Sequence, residues 1–240
     1  MTDGRDPGSG RDHPLAVVAR TTAYPVSLVG GLLGAHHALT LGRTVAEITV
    51  LAAASASVLV AILERVLPFE ATWNEPRGDV LVDVAHVPLT AVAAESARAA
   101  AAALVVWGLP KLPSLSLFPA TLPWPLLLLL AVVIADLPVY LVHRLQHRGG
   151  LLWRLHAAHH AVPRLYFLNA NRNHPLDVFL GAFTSLLLLG LLGASPEILA
   201  LVAVATTIHV TFHWITPART TRAYDLRSLR CSSRGFLHPS

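Results

Sequence analysis

Long apolar stretches separated by short polar segments dominate this chain, and their lengths predict helices that cross a membrane. The clearest stretch covers residues 122–142, in which Asp136 is the only charged side chain. Residues 45–67 form a second stretch, which is rich in alanine and ends near Glu64 and Arg65. About 20 consecutive apolar residues are enough for a helix to span the hydrocarbon core of a bilayer. Both stretches therefore predict transmembrane helices.

Four further apolar stretches predict helices of the same bundle. They cover residues 22–41, 79–109, 176–192 and 196–214. The first is the weakest, because it contains three glycines and the adjacent pair His36 and His37. The last two are separated by a Gly-Ala-Ser break, which predicts a helical hairpin. In the third, Glu95 and Arg98 lie three residues apart, a spacing that favours an ion pair on a helix. The expected fold is all-α: an integral membrane helical bundle with a histidine-rich cap.

Composition and charge support a membrane protein and argue against a nucleic-acid-binding one. Hydrophobic residues make up 54% of the 240 residues and charged residues only 13%, with a mean hydropathy of +0.56. The net charge of +4 comes from basic residues scattered beside the apolar stretches, so anionic lipid headgroups are the expected partners. The single cysteine, Cys231, excludes an internal disulfide and a CxxC metal site.

The positions of the basic residues predict the topology. If the N-terminus is inside, most arginines fall on cytoplasmic segments, whereas the opposite loops hold little beyond Arg43 and Lys111. The cytoplasmic set is Arg5, Arg11, Arg20, Arg65, Arg77, Arg144, Arg148, Arg154, Arg164 and Arg172. Residues 1–14 are rich in glycine and charge, so we expect a disordered tail and not a signal peptide.

Histidines gather in two boxes just after the most apolar stretch. The first is HRLQH, with His143 and His147 one helical turn apart, and the second is LHAAHH, with His156, His159 and His160. Side chains three or four residues apart share one face of a helix. Neutral imidazole is a ligand for iron, zinc, copper or nickel, and five converging histidines exceed the needs of one tetrahedral zinc. The number of histidines therefore favours two metal ions.

Further polar residues are candidates for the same site. His174 in NANRNHP and the pair His209 and His213 in HVTFH are possible additional ligands. At 100° per residue, Asp136 and Tyr140 fall within about 60° of the two histidines of the first box. We expect Asp136 to accept a ligand N–H and Tyr140 to extend this network, or else to anchor the helix at the membrane interface.

Ordinary structural roles compete with the metal-ligand interpretation. A single histidine on an apolar face is usually a satisfied core residue, and histidines and arginines beside a span can form a headgroup-facing patch. His36 and His37 point about 100° apart on a helix, so we expect them to be interfacial. For Asp83 and His86, a polar pair at a helix end is favoured over membership of the metal site. The two boxes at one-turn spacing remain the stronger signal.

The order HRLQH, LHAAHH and NANRNHP resembles the fatty acid hydroxylase and sterol desaturase superfamily of membrane non-haem di-iron oxygenases. The resemblance covers roughly residues 65–213. It implies two iron ions held by histidines on the cytoplasmic side of a multi-pass membrane domain, here residues 15–213. It also implies O2 and an electron donor protein, which together hydroxylate or desaturate a fatty acyl chain or a sterol. His209 and His213 match the family's later histidine pair in position.

The end of the chain departs from the family pattern. Relatives carry a final HxxHH box, but residues 214–240 are basic, lack hydrophobic periodicity and contain only the single histidine His238. A truncation or a reading-frame shift near residue 213 would produce such a tail, and the site would then lack up to three ligands. Two alternatives therefore stay open: an inactive member with a structural metal site, and a histidine-rich protein for membrane metal binding or transport.

Overall fold

Seven α-helices account for most of the structure, a computed structural model that describes residues 14–68, 70–108, 117–119, 121–162 and 164–213. The helices are α1 (Pro14–Thr40), α2 (Val45–Val66), α3 (Val80–Ala103), α4 (Trp124–Gln146), α5 (Gly150–His160), α6 (Pro175–Leu191) and α7 (Pro196–His213). A π-helical turn, Leu104–Gly108, continues α3, and short 3-10 turns lie at Ala71–Asn74 and Phe167–Asn171. Residues 1–13 and the basic tail, 214–240, fall outside the described residues.

Four helices are long and apolar enough to cross a membrane. They are α1, α2, α4 and the continuous segment Val80–Trp107, which joins α3 to its π-helical turn. Helices α6 and α7 are apolar but shorter; a short turn joins them, as predicted, although α6 packs mainly on α3 and α4 and α7 mainly on α1 and α2. The described residues contain no strand. The prediction of an all-α membrane bundle is thus confirmed, while the side of the membrane that the histidine boxes face stays a prediction.

Helix α7 lies at the centre of the bundle and packs against α1, α2 and α4. Its side chains Leu201, Val204 and Ile208 are buried, as are the alanines that α2 and α4 turn toward the core. Small side chains let membrane helices approach closely, and van der Waals packing then holds them together. Helix α6 approaches the segment after α3 closely at Gly190, where an added Cβ would lie 2.6 Å from Val105 Cγ2.

Contacts at the two ends of the bundle establish how the helices run. At one end, His36 near the end of α1 stacks on Trp124 with ring centroids 4.6 Å apart, and its Nδ1 lies 2.7 Å from Glu197 Oε1. Trp124 begins α4 and Glu197 lies in the first turn of α7. At the other end, the Tyr24 hydroxyl lies 2.9 Å from His209 Nδ1. The last turns of α4 and α7 therefore lie at the same end of the bundle.

The predicted ion pair of α3 is confirmed, while the interfacial position expected for His36 stays a prediction. Arg98 donates to the Glu95 carboxylate, with Nε 3.0 Å from Oε2. Side chains three residues apart on a helix are neighbours, which is why this spacing predicts the pair.

Candidate metal centre

The first two histidine boxes meet because the chain reverses sharply between them. His143 lies in the last turn of α4 and His147 directly follows the helix, while α5 starts only three residues later. Gly149 and Gly150 adopt positive φ values of 94° and 72°. Side chains with a Cβ rarely adopt this region, so glycine permits the reversal. The turn folds α5 back toward α4 and places the two boxes against each other.

Three histidines form a compact set of nitrogen atoms. One ring nitrogen from each of His143, His147 and His156 lies within 4.8 Å of the other two, a cluster that could hold a metal ion. The His143 ring centroid lies 4.6 Å from that of His147 and 4.6 Å from that of His156. His156 is buried, with 4% of its surface exposed, whereas His143 and His147 are exposed toward the rim.

His160 and His159 extend this set within the second box. His160 Nε2 lies 3.1 Å from His156 Nε2, and its ring centroid is 4.9 Å from that of His147. The ring of His159 stacks 5.4 Å from that of His156. The structure therefore brings together all five histidines of the two boxes.

The donor set fits a divalent transition metal. Nitrogens bound to one ion at about 2.0–2.1 Å, with tetrahedral to octahedral angles between them, lie about 2.8–3.4 Å apart. The Nε2 atoms of His143 and His147 are 3.1 Å apart, and those of His156 and His160 are also 3.1 Å apart. Each pair thus has the spacing of neighbouring ligands on one ion. Across the two boxes, ligand atoms of His143, His147 and His156 lie within 4.8 Å of one another.

Electrostatics favour the neutral form of two histidines of the second box, His159 and His160. Desolvation of the ring, followed by repulsion from neighbouring imidazoles, lowers the pKa of His160 to about 4. The same two causes lower the pKa of His159. A metal needs the unprotonated nitrogen of imidazole, so both side chains have a lone pair available at neutral pH.

An aromatic side chain covers one side of the cluster. The Trp153 ring centroid lies 5.6 Å from that of His147, 5.5 Å from that of His160 and 6.4 Å from that of His156. Trp153 lies on α5 one turn before His156, so the same helix supplies both the histidines of the second box and their apolar neighbour. Such a wall reduces water access and lowers the local dielectric.

The carboxylate in contact with the cluster is Asp177, in the first turn of α6. Its Oδ2 lies 2.8 Å from His156 Nδ1, and its Oδ1 accepts a hydrogen bond from Gln146 Nε2 at 2.5 Å. Sequence reasoning did not single out Asp177 or Gln146. The signals available were the position of Gln146 inside the HRLQH box and the position of Asp177 three residues after His174, at the start of a helix.

A second polar network, buried beside the cluster, holds the segment that joins α5 to α6. Arg164 donates to both oxygens of Asp79, at 2.8 and 3.0 Å, and its guanidinium lies 3.8 Å from the centre of the Tyr166 ring. The Tyr166 hydroxyl donates to Asp83 Oδ2 at 2.7 Å, and Arg172 Nε lies 3.3 Å from Asp83 Oδ1. The segment is thereby fixed to the start of α3.

Charge pairing and burial set the protonation of this network. Hydrogen bonds from Arg164 lower the pKa of Asp79 from 3.8 to about 2, so the carboxylate is ionised at neutral pH. Burial, and then the hydrogen bond to Asp83, raise the pKa of Tyr166, so its hydroxyl stays protonated and donates. Asp83 and His86 both contact this segment, since His86 Nδ1 lies 3.1 Å from the Asn173 carbonyl.

The other predicted site residues lie elsewhere. Asp136 lines a groove between α1, α4 and α7, where Tyr24 and His209 are its neighbours in the lining. The Tyr140 hydroxyl accepts a hydrogen bond from Arg144 at 3.2 Å. His174 caps α6, since its Nδ1 accepts from the backbone N–H of Leu176 at 3.2 Å. The side chain of His213 lies outside the described residues. The catalytic and ligand roles of these residues stay predictions.

The groove is apolar along its length and polar at one end. Its volume is about 660 Å³. The lining consists of Tyr24, Leu28, Val29, Leu32, Leu33, Trp124, Pro125, Leu128, Leu129, Val132, Asp136, Ala205, Thr206 and His209. The polar members Asp136, Thr206 and His209 lie toward the end of the bundle that carries the histidine boxes. Asp136 precedes His143 by seven residues, about two helical turns on the same face of α4.

The fold and site define a multi-span helical membrane protein with a histidine cluster that could hold a metal ion at one end of the bundle. Residues 128–236 match the model of the fatty acid hydroxylase family. The matched residues extend from α4 through α7 and continue past His213. The chain is also 32% identical, over 203 residues, to an ornithine lipid hydroxylase, OlsE, of Rhizobium tropici. That alignment covers 82% of this chain and 61% of the relative. No solved structure matches the chain.

The family match and the hydroxylase relative both support the fatty acid hydroxylase superfamily, which the order of the histidine boxes predicted.

Proposed function

We propose that this chain is a membrane-bound, non-haem di-iron oxidoreductase that hydroxylates an acyl chain of a membrane lipid. The observation that carries the proposal is the convergence of the two boxes, with nitrogens of His143, His147 and His156 within 4.8 Å of one another. Iron held by imidazoles supplies the activation of O2 that lets an unactivated C–H bond be oxidised. The family match and the hydroxylase relative support this chemistry over metal transport.

The roles of the residues follow from their places. The histidines of the two boxes would hold the metal ions, and Trp153 would limit the access of water to them. One oxygen atom of O2 enters the lipid as a hydroxyl group and the other leaves as water, so each turnover needs two electrons and two protons. A donor protein would supply the electrons. The basic residues Arg144, Arg148 and Arg154 flank the boxes, and they support a cytoplasmic location where such a donor could dock.

The groove between α1, α4 and α7 supports a lipid substrate. All three helices are apolar enough to lie in the bilayer, so we expect the groove to open onto lipid chains. Its apolar wall suits an acyl chain, while Asp136 and His209 mark the end toward the metal centre. An ionisable side chain at membrane depth is costly and usually functional. The relative acts on ornithine lipid, which makes this lipid the first substrate to test.

The test combines metal analysis with isotope labelling. The full chain would be produced in a bacterial host that makes ornithine lipid, and the cells would be grown under ¹⁸O₂. We expect two irons per purified chain and one ¹⁸O atom in the acyl part of the lipid, absent from cells with an empty vector. One zinc or no metal per chain, with unmodified lipid, would favour the inactive member. Bound metal that crosses vesicle membranes would favour transport.

A tryptophan in the groove should block the substrate without disturbing the metal. Val132 lines the groove, whereas its neighbour Val133 is 62% exposed and does not line it. We expect Val132→Trp to lower hydroxylation about 10-fold or more, because the added ring fills space that the acyl chain needs. Val133→Trp makes the same substitution on the lipid-facing side and should stay near wild type. Iron content and lipid turnover are measured for both; equal activity of the two variants contradicts a role for the groove.

A further inference from the structure

His156 is the central residue of the cluster, and its two ring nitrogens face different partners. Its Nδ1 lies 2.8 Å from Asp177 Oδ2, whereas its Nε2 lies 3.1 Å from His160 Nε2. An ionised carboxylate only accepts hydrogen bonds, so Nδ1 must carry the proton. In a neutral imidazole the lone pair then lies on Nε2. This tautomer directs the metal-binding nitrogen of His156 into the cluster.

The Asp177 carboxylate is itself held in place. Its other oxygen accepts from Gln146 Nε2, and Gln146 is only 1% exposed. Asp177 also lies in the first turn of α6, where the unpaired backbone N–H groups of a helix favour a negative charge. Gln146 belongs to the first box, between His143 and His147 in the sequence. One carboxylate therefore connects the first box, the second box and α6.

We propose that Asp177 is a positioning residue of the metal centre: it fixes the tautomer and the ring orientation of His156, and Gln146 in turn fixes Asp177. This rests on the proposed function only in that the histidine cluster binds a metal. The role is the one that the helical face of α4 suggests for Asp136, which instead lines the groove about two turns before His143.

Metal affinity measures this role without reference to turnover. Loss of a residue that orients a ligand typically weakens metal binding about 10–100-fold. We expect this loss for Asp177→Ala in a titration with Fe²⁺ or Co²⁺ alone, against a competing chelator. Asp177→Asn should lose less, because its amide oxygen still accepts from Nδ1–H although the charge is gone. Gln146→Leu should weaken binding by a smaller factor, and its effect should shrink in the Asp177→Ala background.

Two matched controls separate positioning from packing. Glu197→Ala removes another close contact between a carboxylate and a histidine, that with His36 Nδ1 at 2.7 Å, from the opposite end of the bundle. Ser185→Ala removes a hydrogen bond between α6 and α4, from Ser185 Oγ to the Ala135 carbonyl at 2.9 Å, away from the cluster. Both should leave the dissociation constant within about 2-fold of wild type. Unfolding temperatures of the metal-free variants show whether any loss of affinity merely follows a loss of stability.

The possible outcomes decide the proposal. Wild-type affinity in Asp177→Ala overturns it, and so does a loss in Asp136→Asn that exceeds the loss in Asp177→Ala. If Asp177→Ala does not fold, the ¹⁵N spectrum of histidine in metal-free wild type decides, since a proton on Nε2 of His156 would contradict the assigned tautomer. Tight metal binding that depends on Asp177 without lipid hydroxylation would contradict the proposed function and still support this inference.

Discussion

Replacing His156 with alanine is expected to remove the bound metal and to reduce lipid hydroxylation to background. His156 is the buried histidine of the cluster, and its ring contacts those of His143, His147, His159 and His160. The substitution removes the imidazole that contacts the histidines of both boxes. Because a bound metal supplies several kcal/mol of stabilisation to the reaction, turnover should fall by at least about 10³-fold. Iron per chain and ¹⁸O incorporation into lipid measure the two effects.

The control for this variant is His37→Ala, which makes the same substitution on an exposed face near the end of α1. It should keep wild-type iron and activity. His174→Ala is an informative comparison, because the His174 ring caps α6 through Leu176. A pure capping role predicts a stability loss of about 1 kcal/mol with retained iron. Retention of full iron content by His156→Ala would contradict the metal centre itself.

The largest expected effect on stability comes from Arg164→Met. Arg164 is 4% exposed and donates to both oxygens of Asp79, which is 6% exposed. Removing one partner of a buried ion pair leaves the other charge uncompensated, which typically costs about 3–5 kcal/mol of unfolding free energy. The bond from Arg164 to the Trp73 carbonyl is lost as well. Thermal unfolding in detergent would measure the change.

An exposed ion pair provides the contrast. Arg43 lies 3.9 Å from Glu47, and both side chains are at least half exposed, so Arg43→Met should cost no more than about 1 kcal/mol. The double variant Asp79→Leu/Arg164→Met should be more stable than Arg164→Met, since no buried charge is left unpaired. If the loss of unfolding free energy in the double variant equals the sum of the losses in the two single variants, the two side chains are not coupled.

The same pair predicts a dependence on acid. The pKa of Asp79 is lower in the folded chain, about 2, than its ordinary 3.8. The ion pair therefore contributes its full stability above about pH 4 and loses it as the pH falls toward 2. Arg164→Met should flatten this part of the curve of unfolding temperature against pH.

The sequence was sufficient to predict the long helices and the grouping of the histidines within each box. Apolar stretches of membrane-spanning length identified α1 to α4, and the spacing in HRLQH and LHAAHH placed each set of histidines on one helical turn. These features are local, because they depend on residues within a few positions of each other. The family resemblance rests on the same local motifs, and the family match confirms it.

Contacts between distant segments were beyond such reasoning. Helical phase correctly puts Asp136 on the side of α4 that carries His143, but phase does not say what lies opposite that side. The carboxylate that meets His156 comes from Asp177, 21 residues further along the chain. Likewise, Asp83 looked like a polar residue at a helix end, and its partner Tyr166 follows 83 residues later. Only the packing of the helices makes these pairs.

Helix α4 carries both a wall of the groove, at Val132, and the first histidine of the cluster, His143. Asp136 and His143 are separated by seven residues of one helix, which is a rise of about 10 Å. Under the proposed function, α4 fixes the distance between the groove and the metal ions. An acyl chain bound in the groove would then present the same carbon to the iron at every turnover. The regioselectivity of the enzyme would then be set by a count of residues, so that inserting or deleting a helical turn in α4 should move the modified carbon along the lipid.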